Sequence, residues 1–252
     1  MAKHNGMIIW QGASALDGAP LVAIAVGING SSNRKTGSML QTYILRADMA
    51  PLAAVKTGAD SSICGSCPHR GDGTGKGRTC YVNIGQGATS VYKAFMRGRY
   101  PVANRDDIRA LGAGRMVRLG TYGDPAAVPA LIWRDLISSA TGHTGYTHQW
   151  RNVGAEWAQL VMASADTQRD ALDAQALGYR TFRVETQALH QTAPLPREAL
   201  CPASEAAGKV LQCATCGSCN GANGRRGSIW IPAHGGTAVM ANVPRLIARL
   251  AA

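Results

Sequence analysis

Short apolar runs alternate with longer amphipathic stretches through much of the chain, and this alternation predicts the fold class. Two stretches have helical spacing: residues 126–139, with Pro125 in the first turn, and residues 167–177, followed by Gly178. Strands that alternate with helices of this length indicate βα units and a parallel sheet. The predicted strands lie at residues 21–26, 42–45, 116–120, 145–149, 160–164, 181–184, 209–212 and 229–231.

The pattern therefore predicts an α/β fold. Several of the strands lack polar alternation, as expected of strands that are buried on both faces. An open sheet and a full or partial (β/α) barrel both fit the order of elements, and we favour the barrel. The 252 residues are enough for one large domain or two small ones. We predict a single α/β domain, with cysteine-bearing loops at about residues 58–87 and 201–227.

Four polar side chains follow the predicted strands and are the candidate catalytic residues. In a (β/α) barrel, residues that follow the strands gather on one face, where active sites are built. The alternative is that each residue caps a helix or closes a turn, as Asp124 before Pro125 and Asp166 before a helix suggest. As a set, they are expected to line one pocket. The candidates are Asp124, His148, Asp166 and Glu185.

Four cysteines near the C-terminal end form the strongest motif, and we call them the C-terminal cysteine set: Cys201, Cys213, Cys216 and Cys219. Three of them follow C-x-x-C-x-x-C spacing, and Cys201 precedes Pro202, as in the cysteine runs that bind iron–sulfur clusters in ferredoxins. Zinc is the competing metal, but it favours two separated C-x-x-C pairs around a tetrahedral ion. The spacing predicts a four-thiolate iron–sulfur cluster, [4Fe–4S] in type, for electron transfer or structure.

Three further cysteines, Cys64, Cys67 and Cys80, form the N-terminal cysteine set, which has no fourth cysteine nearby. Two interpretations are open. His69 completes a zinc or structural site in one of them. In the other, three thiolates hold a second cluster and leave one iron open to a substrate or cofactor. A third arrangement, in which all seven cysteines share one cluster, also fits the sequence.

The open-iron interpretation gives this set a resemblance to the radical S-adenosylmethionine enzymes. Their third cysteine commonly neighbours an aromatic residue, as Cys80 neighbours Tyr81. The resemblance implies a (β/α) barrel, a three-cysteine cluster and S-adenosylmethionine as a ligand. The sequence departs from that family in two ways. Twelve residues separate Cys67 from Cys80, where C-x-x-x-C-x-x-C is usual, and no clear strand is predicted directly before Cys64.

The chain more closely resembles a group of uncharacterised cysteine-rich proteins encoded by bacteriophages and related mobile elements. The resemblance implies a protein of the host cytoplasm and says little about activity. The similar stretches are residues 63–70, 79–83, 118–125, 144–150, 201–204 and 213–219.

The net charge of +11 bears on partners. It permits binding to nucleic acid or to a small anionic substrate, although the basic residues are scattered and form no tail. No apolar stretch long enough to span a membrane and no export signal is evident, so we predict a cytoplasmic protein with no membrane partner. The leading hypothesis is an iron–sulfur protein with redox or radical chemistry. The alternative is a zinc-stabilised nucleic-acid-binding protein without catalysis.

Overall fold

The computed structural model describes residues 4–31, 33–186, 194–208, 211–222 and 226–251. Its first sheet has five strands in the order β1-β2-β3-β4-β5. The first three strands pair antiparallel, whereas β3, β4 and β5 are parallel. The strands are β1 (Gly6–Ala13), β2 (Pro20–Val26), β3 (Leu40–Arg46), β4 (Met116–Tyr122) and β5 (Gly142–Thr144).

The second sheet also has five strands, all of them parallel, in the order β6-β7-β8-β10-β9. Gly145 alone separates β5 from β6, so one extended segment contributes to both sheets. The strands are β6 (Tyr146–Thr147), β7 (Met162–Ala165), β8 (Thr181–Glu185), β9 (Glu198–Leu200) and β10 (Ser228–Pro232).

The helices are short, and most connect consecutive strands. They are α1 (Pro51–Thr57), α2 (Ser61–Cys64), α3 (Thr89–Met96), α4 (Arg105–Gly112), α5 (Ala130–Ile137), α6 (Gln168–Ala176), α7 (Cys213–Cys216), α8 (Thr237–Met240) and α9 (Val243–Ala251). Shorter turns of 3-10 helix lie at Pro68–Arg70, Pro125–Ala127, Ala155–Gln159 and Glu205–Ala207, and a π-helical turn lies at Ile84–Ala88. None of the described helices is both long enough and apolar enough to cross a bilayer.

The α/β class is confirmed. The described strands form two sheets and no closed barrel, so the barrel stays a prediction. The helix predicted at residues 126–139 is wrong in its first four residues, because Pro129 disfavours a helical conformation at Val128, and α5 begins only at Ala130. Of the strand predicted at residues 209–212, positions 209 and 210 lie outside the described residues, and 211–212 are not extended in a sheet.

The cysteine loops also contain more regular structure than their composition predicts, since α2 ends at Cys64 and α7 spans Cys213–Cys216.

Apolar side chains from both faces of the first sheet form most of the core. In β2, Leu21 to Ala25 are almost fully buried because sheet neighbours flank the strand and other elements cover both faces. A smaller buried cluster lies in the second sheet and includes Cys201 and Cys219, packed with Met162, Ile229 and Ile231. The C-terminal cysteine set is thus partly embedded in apolar surroundings.

Candidate metal centres

A cavity of about 160 Å³ opens at the carboxyl ends of the parallel strands. Residues at or just after the ends of β4, β6, β8 and β10 line it, including Asp124, His148, Val184 and His234. Residues of α9 border it as well. In α/β proteins, ligands bind at this edge of the sheet, where consecutive connections diverge. Of the two cavities that the cysteines line, this one has the greater volume, and we call it the larger cavity.

The whole N-terminal cysteine set lines the larger cavity. The loop that holds it follows β3, the first strand of the parallel run. Arg70 fixes the loop: its guanidinium donates to the carbonyl oxygens of Gly58 and Gly65 at 2.8 and 3.1 Å and pairs with Asp60 at 2.6 Å. Burial raises the pKa of the Cys64 thiol well above its ordinary value, and nearby Cys67 and Cys80 raise it further. The Cys64 thiol therefore ionises readily only when a cation binds it.

Two histidines converge on one carboxylate beside this set. Asp166 Oδ1 lies 2.8 Å from His69 Nε2, and Asp166 Oδ2 lies 3.2 Å from His148 Nε2. The other ring nitrogen of His69, Nδ1, lies 2.7 Å from the Thr79 hydroxyl. Both ring nitrogens of His69 are thus engaged elsewhere, which leaves none for the N-terminal cysteine set.

The electrostatics of this group follow from its pairing. Burial favours neutral His148, but Cys67 and Asp166 outweigh burial and raise the pKa of His148 well above its ordinary value. Burial likewise opposes ionisation of Asp166, and the two histidines nevertheless hold the pKa of Asp166 below its usual range. Asp166 does not cap the following helix, because the Thr167 side chain accepts from Asp170 N instead.

Asp124 combines the two roles considered for it. It lines the larger cavity, and its carboxylate also accepts from Ala126 N at 2.9 Å, at the start of the 3-10 turn, and from His148 N at 2.8 Å. Burial raises the pKa of Asp124. The carboxylate thereby fixes the backbone that presents His148 to the cavity.

Glu185 lies apart from the other three candidates. Within the described part of the chain, its carboxylate pairs with Arg183, which also pairs with Glu198, and Glu185 does not line the larger cavity. Successive residues of a strand point to opposite faces, so Val184 faces the cavity while Arg183 and Glu185 share the other face. The structure brings Asp124, His148 and Asp166 together and places Glu185 in a buried ion network.

All four members of the C-terminal cysteine set line a second, smaller cavity of about 20 Å³. Burial, with the neighbouring thiols of the set, raises the pKa of Cys219 to about 12. Cys201 and the cysteines of residues 213–219 thus line the same cavity, as a single four-cysteine site requires. We call this the smaller cavity.

A buried arginine, Arg180, organises the loop of the C-terminal set. Its guanidinium donates to the carbonyl oxygens of Ser218 at 2.8 Å, Gly221 at 3.0 Å and Gly227 at 2.6 Å. Among the described residues no carboxylate pairs with it, and Cys219 is the neighbour that most favours its charged form. A buried cation without a counter-ion is costly, so this environment suits negative charge on the neighbouring sulfurs.

The two cavities share one wall of four side chains, namely Tyr81, Arg118, Tyr146 and Phe182. The Arg118 guanidinium lies 5.7 Å from the centre of the Tyr146 ring, and no carboxylate of the described residues pairs with it. Each cavity also has a buried hydroxyl with no hydrogen-bond partner in the described structure: Tyr122 lines the larger and Thr144 the smaller. Such orphaned groups suit a bound ligand or cluster that accepts a hydrogen bond.

The separation of the sulfurs tests which metal the cysteines fit. Around one tetrahedral zinc ion, with Zn–S near 2.3 Å, sulfurs lie roughly 3.8 Å apart. All seven cysteines are described and unpaired, yet no three of their sulfurs lie within 4.8 Å of one another. As they stand, no three of the cysteine sulfurs are therefore close enough together to hold one tetrahedral zinc ion.

Sequence patterns alone did not identify Arg70, Arg118, Arg180 or Tyr122. Arg70, Arg118 and Tyr122 lie within the similar stretches at residues 63–70 and 118–125, but no role was predicted for them. Arg180 lies outside all of those stretches. The one available signal was that Arg70 lies three residues after Cys67. Comparison of the chain with protein-family models, with curated proteins and with solved structures gives no match.

Proposed function

We propose that this protein binds two iron–sulfur clusters and performs redox or radical chemistry on a small anionic molecule in the larger cavity. The observation that carries the proposal is the gathering of all seven cysteines into two sets, each lining its own cavity. [4Fe–4S] is the cluster type that the ligand spacing favours.

The C-terminal set suits a saturated cluster with a structural or electron-transferring role. Its four thiolates would occupy every iron and leave none for a substrate. The unpaired charge of Arg180 beside Cys219 supports this assignment, because a thiolate-ligated cluster carries net negative charge.

The N-terminal set suits a cluster with one open iron. His69, the fourth ligand considered for it, is engaged with Asp166 and Thr79. An open iron facing the larger cavity is available to a substrate or to S-adenosylmethionine. Arg118 offers that molecule a cation without a competing carboxylate, which favours a small anionic substrate.

We propose further that the two sheets together form a partial (β/α) barrel. Six parallel strand positions support it, namely β3, β4, the joined β5 and β6, β7, β8 and β10. The larger cavity lies where a barrel enzyme has its active site, at the carboxyl ends of these strands.

Anaerobic purification with iron and labile-sulfide analysis tests the cluster assignment. We expect a brown protein with about eight irons per chain, or about four if one site is loaded. A colourless protein that holds stoichiometric zinc and cannot be reconstituted with iron and sulfide contradicts the proposal and favours the zinc-stabilised nucleic-acid-binding alternative.

The open iron has a separate test, the EPR spectrum of the reduced protein with and without S-adenosylmethionine. A changed spectrum in the wild-type protein, and an unchanged one in a Cys67→Ser variant, supports binding at the N-terminal cluster. If the ligand leaves the wild-type spectrum unchanged, the S-adenosylmethionine part of the proposal fails, while the cluster assignment stands.

A further inference from the structure

We infer that His69, His148 and Asp166 form a binding site for one divalent transition-metal ion, separate from the cysteine sites. Among the described residues, theirs is the only group of three whose ligand atoms all lie within 4.8 Å of one another. The inference does not rest on the iron–sulfur proposal, since it uses nitrogen and oxygen ligands alone.

The distances fit coordination to a common ion. Metal–nitrogen and metal–oxygen bonds near 2.1 Å place neighbouring ligands roughly 3.0–3.4 Å apart, from octahedral to tetrahedral angles. His69 Nε2 lies 2.8 Å from Asp166 Oδ1, and His148 Nε2 lies 3.2 Å from Asp166 Oδ2. The two histidines therefore contact different oxygens of one carboxylate, and one ligand atom from each of the three residues lies within 4.8 Å of the others.

Neighbouring groups hold the ligands as they are held around known metal ions. A ligating histidine generally uses its second ring nitrogen to hydrogen-bond a partner, which fixes the ring and its tautomer. Thr79 is that partner for His69, at 2.7 Å from Nδ1. In the tautomer that donates to Thr79, the Nε2 lone pair faces an Asp166 oxygen, and a cation between them relieves the repulsion.

The surroundings indicate a site that a second molecule can reach. His69 and His148 line the larger cavity, while Asp166 is buried behind them, so the vacant coordination positions would face the cavity. Two histidines and one carboxylate with open positions suit Fe²⁺, Mn²⁺ or Zn²⁺ in a reactive role. The Cys67 sulfur lies 3.9 Å from His148 Nε2.

Mn²⁺ is the sharpest probe, because soft thiolates bind it poorly and nitrogen and oxygen ligands bind it well. Titration of the purified protein, followed by the EPR signal of free Mn²⁺, is expected to show one saturable site per chain. We expect Asp166→Asn and His69→Gln to weaken that binding at least tenfold. His143→Gln is the control, since His143 lies outside the group and contacts the Leu160 carbonyl oxygen.

Iron, labile sulfide and thermal unfolding are measured on the same samples. Iron content that is unchanged in His69→Gln while Mn²⁺ binding is lost supports a site distinct from the clusters. If Asp166→Asn unfolds, His69→Gln decides, because its side chain is partly exposed. The absence of a saturable Mn²⁺ site in the wild-type protein, or equal Mn²⁺ affinity in wild type and a folded His69→Gln variant, overturns the inference.

Discussion

An arginine holds the loop of each cysteine set, but the charge of that arginine is balanced differently in the two loops. In each, a buried or half-buried arginine donates to backbone carbonyl oxygens of the loop that carries the thiols, Arg70 in one and Arg180 in the other. Asp60 neutralises Arg70 at 2.6 Å, whereas no carboxylate of the described residues pairs with Arg180. Asp60 raises the pKa of Arg70 against the effect of burial, and burial lowers the pKa of Arg180.

This difference indicates that the two loops depend on their ligands to different degrees. In the N-terminal loop Asp60 already balances the charge of Arg70, and the loop borders a cavity of about 160 Å³. The C-terminal loop surrounds about 20 Å³ and leaves a buried cation that the ligated sulfurs would balance. A metal site whose bound ligand balances the charge of its loop is suited to a structural role. A metal site on a loop whose charge is already balanced is suited to reactivity.

The largest effect is expected from removing one thiolate of the C-terminal set. Cys219→Ser is predicted to lose about half of the bound iron and to lower Tm by about 10 °C, equivalent to roughly 3 kcal/mol in a chain of this size. Cys219 is buried among Met162, Ile229 and Ile231, so its loss also disturbs packing. Iron analysis and calorimetry of the anaerobic protein measure both changes.

Cys67→Ser is the matched variant in the N-terminal set, where Cys67 is half-buried. It is predicted to lose a similar amount of iron but to lower Tm by less than half as much. Equal losses of Tm in the two variants would mean that both loops depend on their ligands equally, contrary to the comparison drawn from Arg70 and Arg180.

The next effect concerns the charge pair of the N-terminal loop. Arg70→Met leaves Asp60, about 1% exposed, with only Arg78 at 3.5 Å as a charged partner. Breaking a buried ion pair in this way generally costs about 3–5 kcal/mol of folding stability. We expect the free energy of unfolding to fall by about 3 kcal/mol, the lower end of that range, because Arg78 still pairs with Asp60. Denaturant unfolding measures it, and the double variant Arg70→Met/Asp60→Asn is expected to recover a substantial part. No recovery in the double variant would show that hydrogen bonds to the loop carbonyls, and not the charge pair, dominate.

The fold class and the grouping of the cysteines were predictable from the sequence because both depend on local spacing. Apolar runs located most strands of the parallel part, and C-x-x-C-x-x-C spacing joined three thiols of the C-terminal set. Cys201 was included through its Pro202 neighbour, and the structure brings it to the same cavity. Strand-end position likewise predicted that His148 and Asp166 would lie close together.

Other features depend on contacts between residues far apart in sequence. His69 and Asp166 are 97 positions apart, and Arg180 meets Gly227 across 47. No local pattern encodes such pairs. For Glu185 the local pattern was sufficient to predict its position at a strand end but not the direction of its side chain. Because side chains alternate along β8, Glu185 faces Arg183 and not the larger cavity.

A smaller effect is expected from the arginine of the C-terminal loop. Arg180→Met removes hydrogen bonds to loop carbonyl oxygens but also removes a buried, unpaired cation, so the two effects partly offset each other. We expect the free energy of unfolding to fall by about 2 kcal/mol in the iron-loaded protein. After chelation we expect a smaller fall, because the Cys219 sulfur is then protonated and carries no negative charge. Unfolding with and without iron tests this, and an equal loss in the two states contradicts the assignment of Arg180 as the counter-ion of ligated thiolates.

The smallest expected effect is a difference of one released proton between two variants during cluster reconstitution. Burial raises the pKa of Cys64, Cys80, Cys201 and Cys219, so these thiols are protonated near neutral pH before a metal binds, and ligation releases their protons. Raising the pH toward those pKa values therefore favours assembly, since fewer protons remain to be displaced. Proton release during reconstitution, in weakly buffered solution, is expected to be one greater per cluster in Cys67→Ser, which keeps the four-thiol set, than in Cys219→Ser, which keeps the three-thiol set. Inorganic sulfide contributes equally to both and cancels. Equal release in the two variants would indicate a fourth proton-releasing ligand at the N-terminal site and would remove the open iron on which a reactive role there depends.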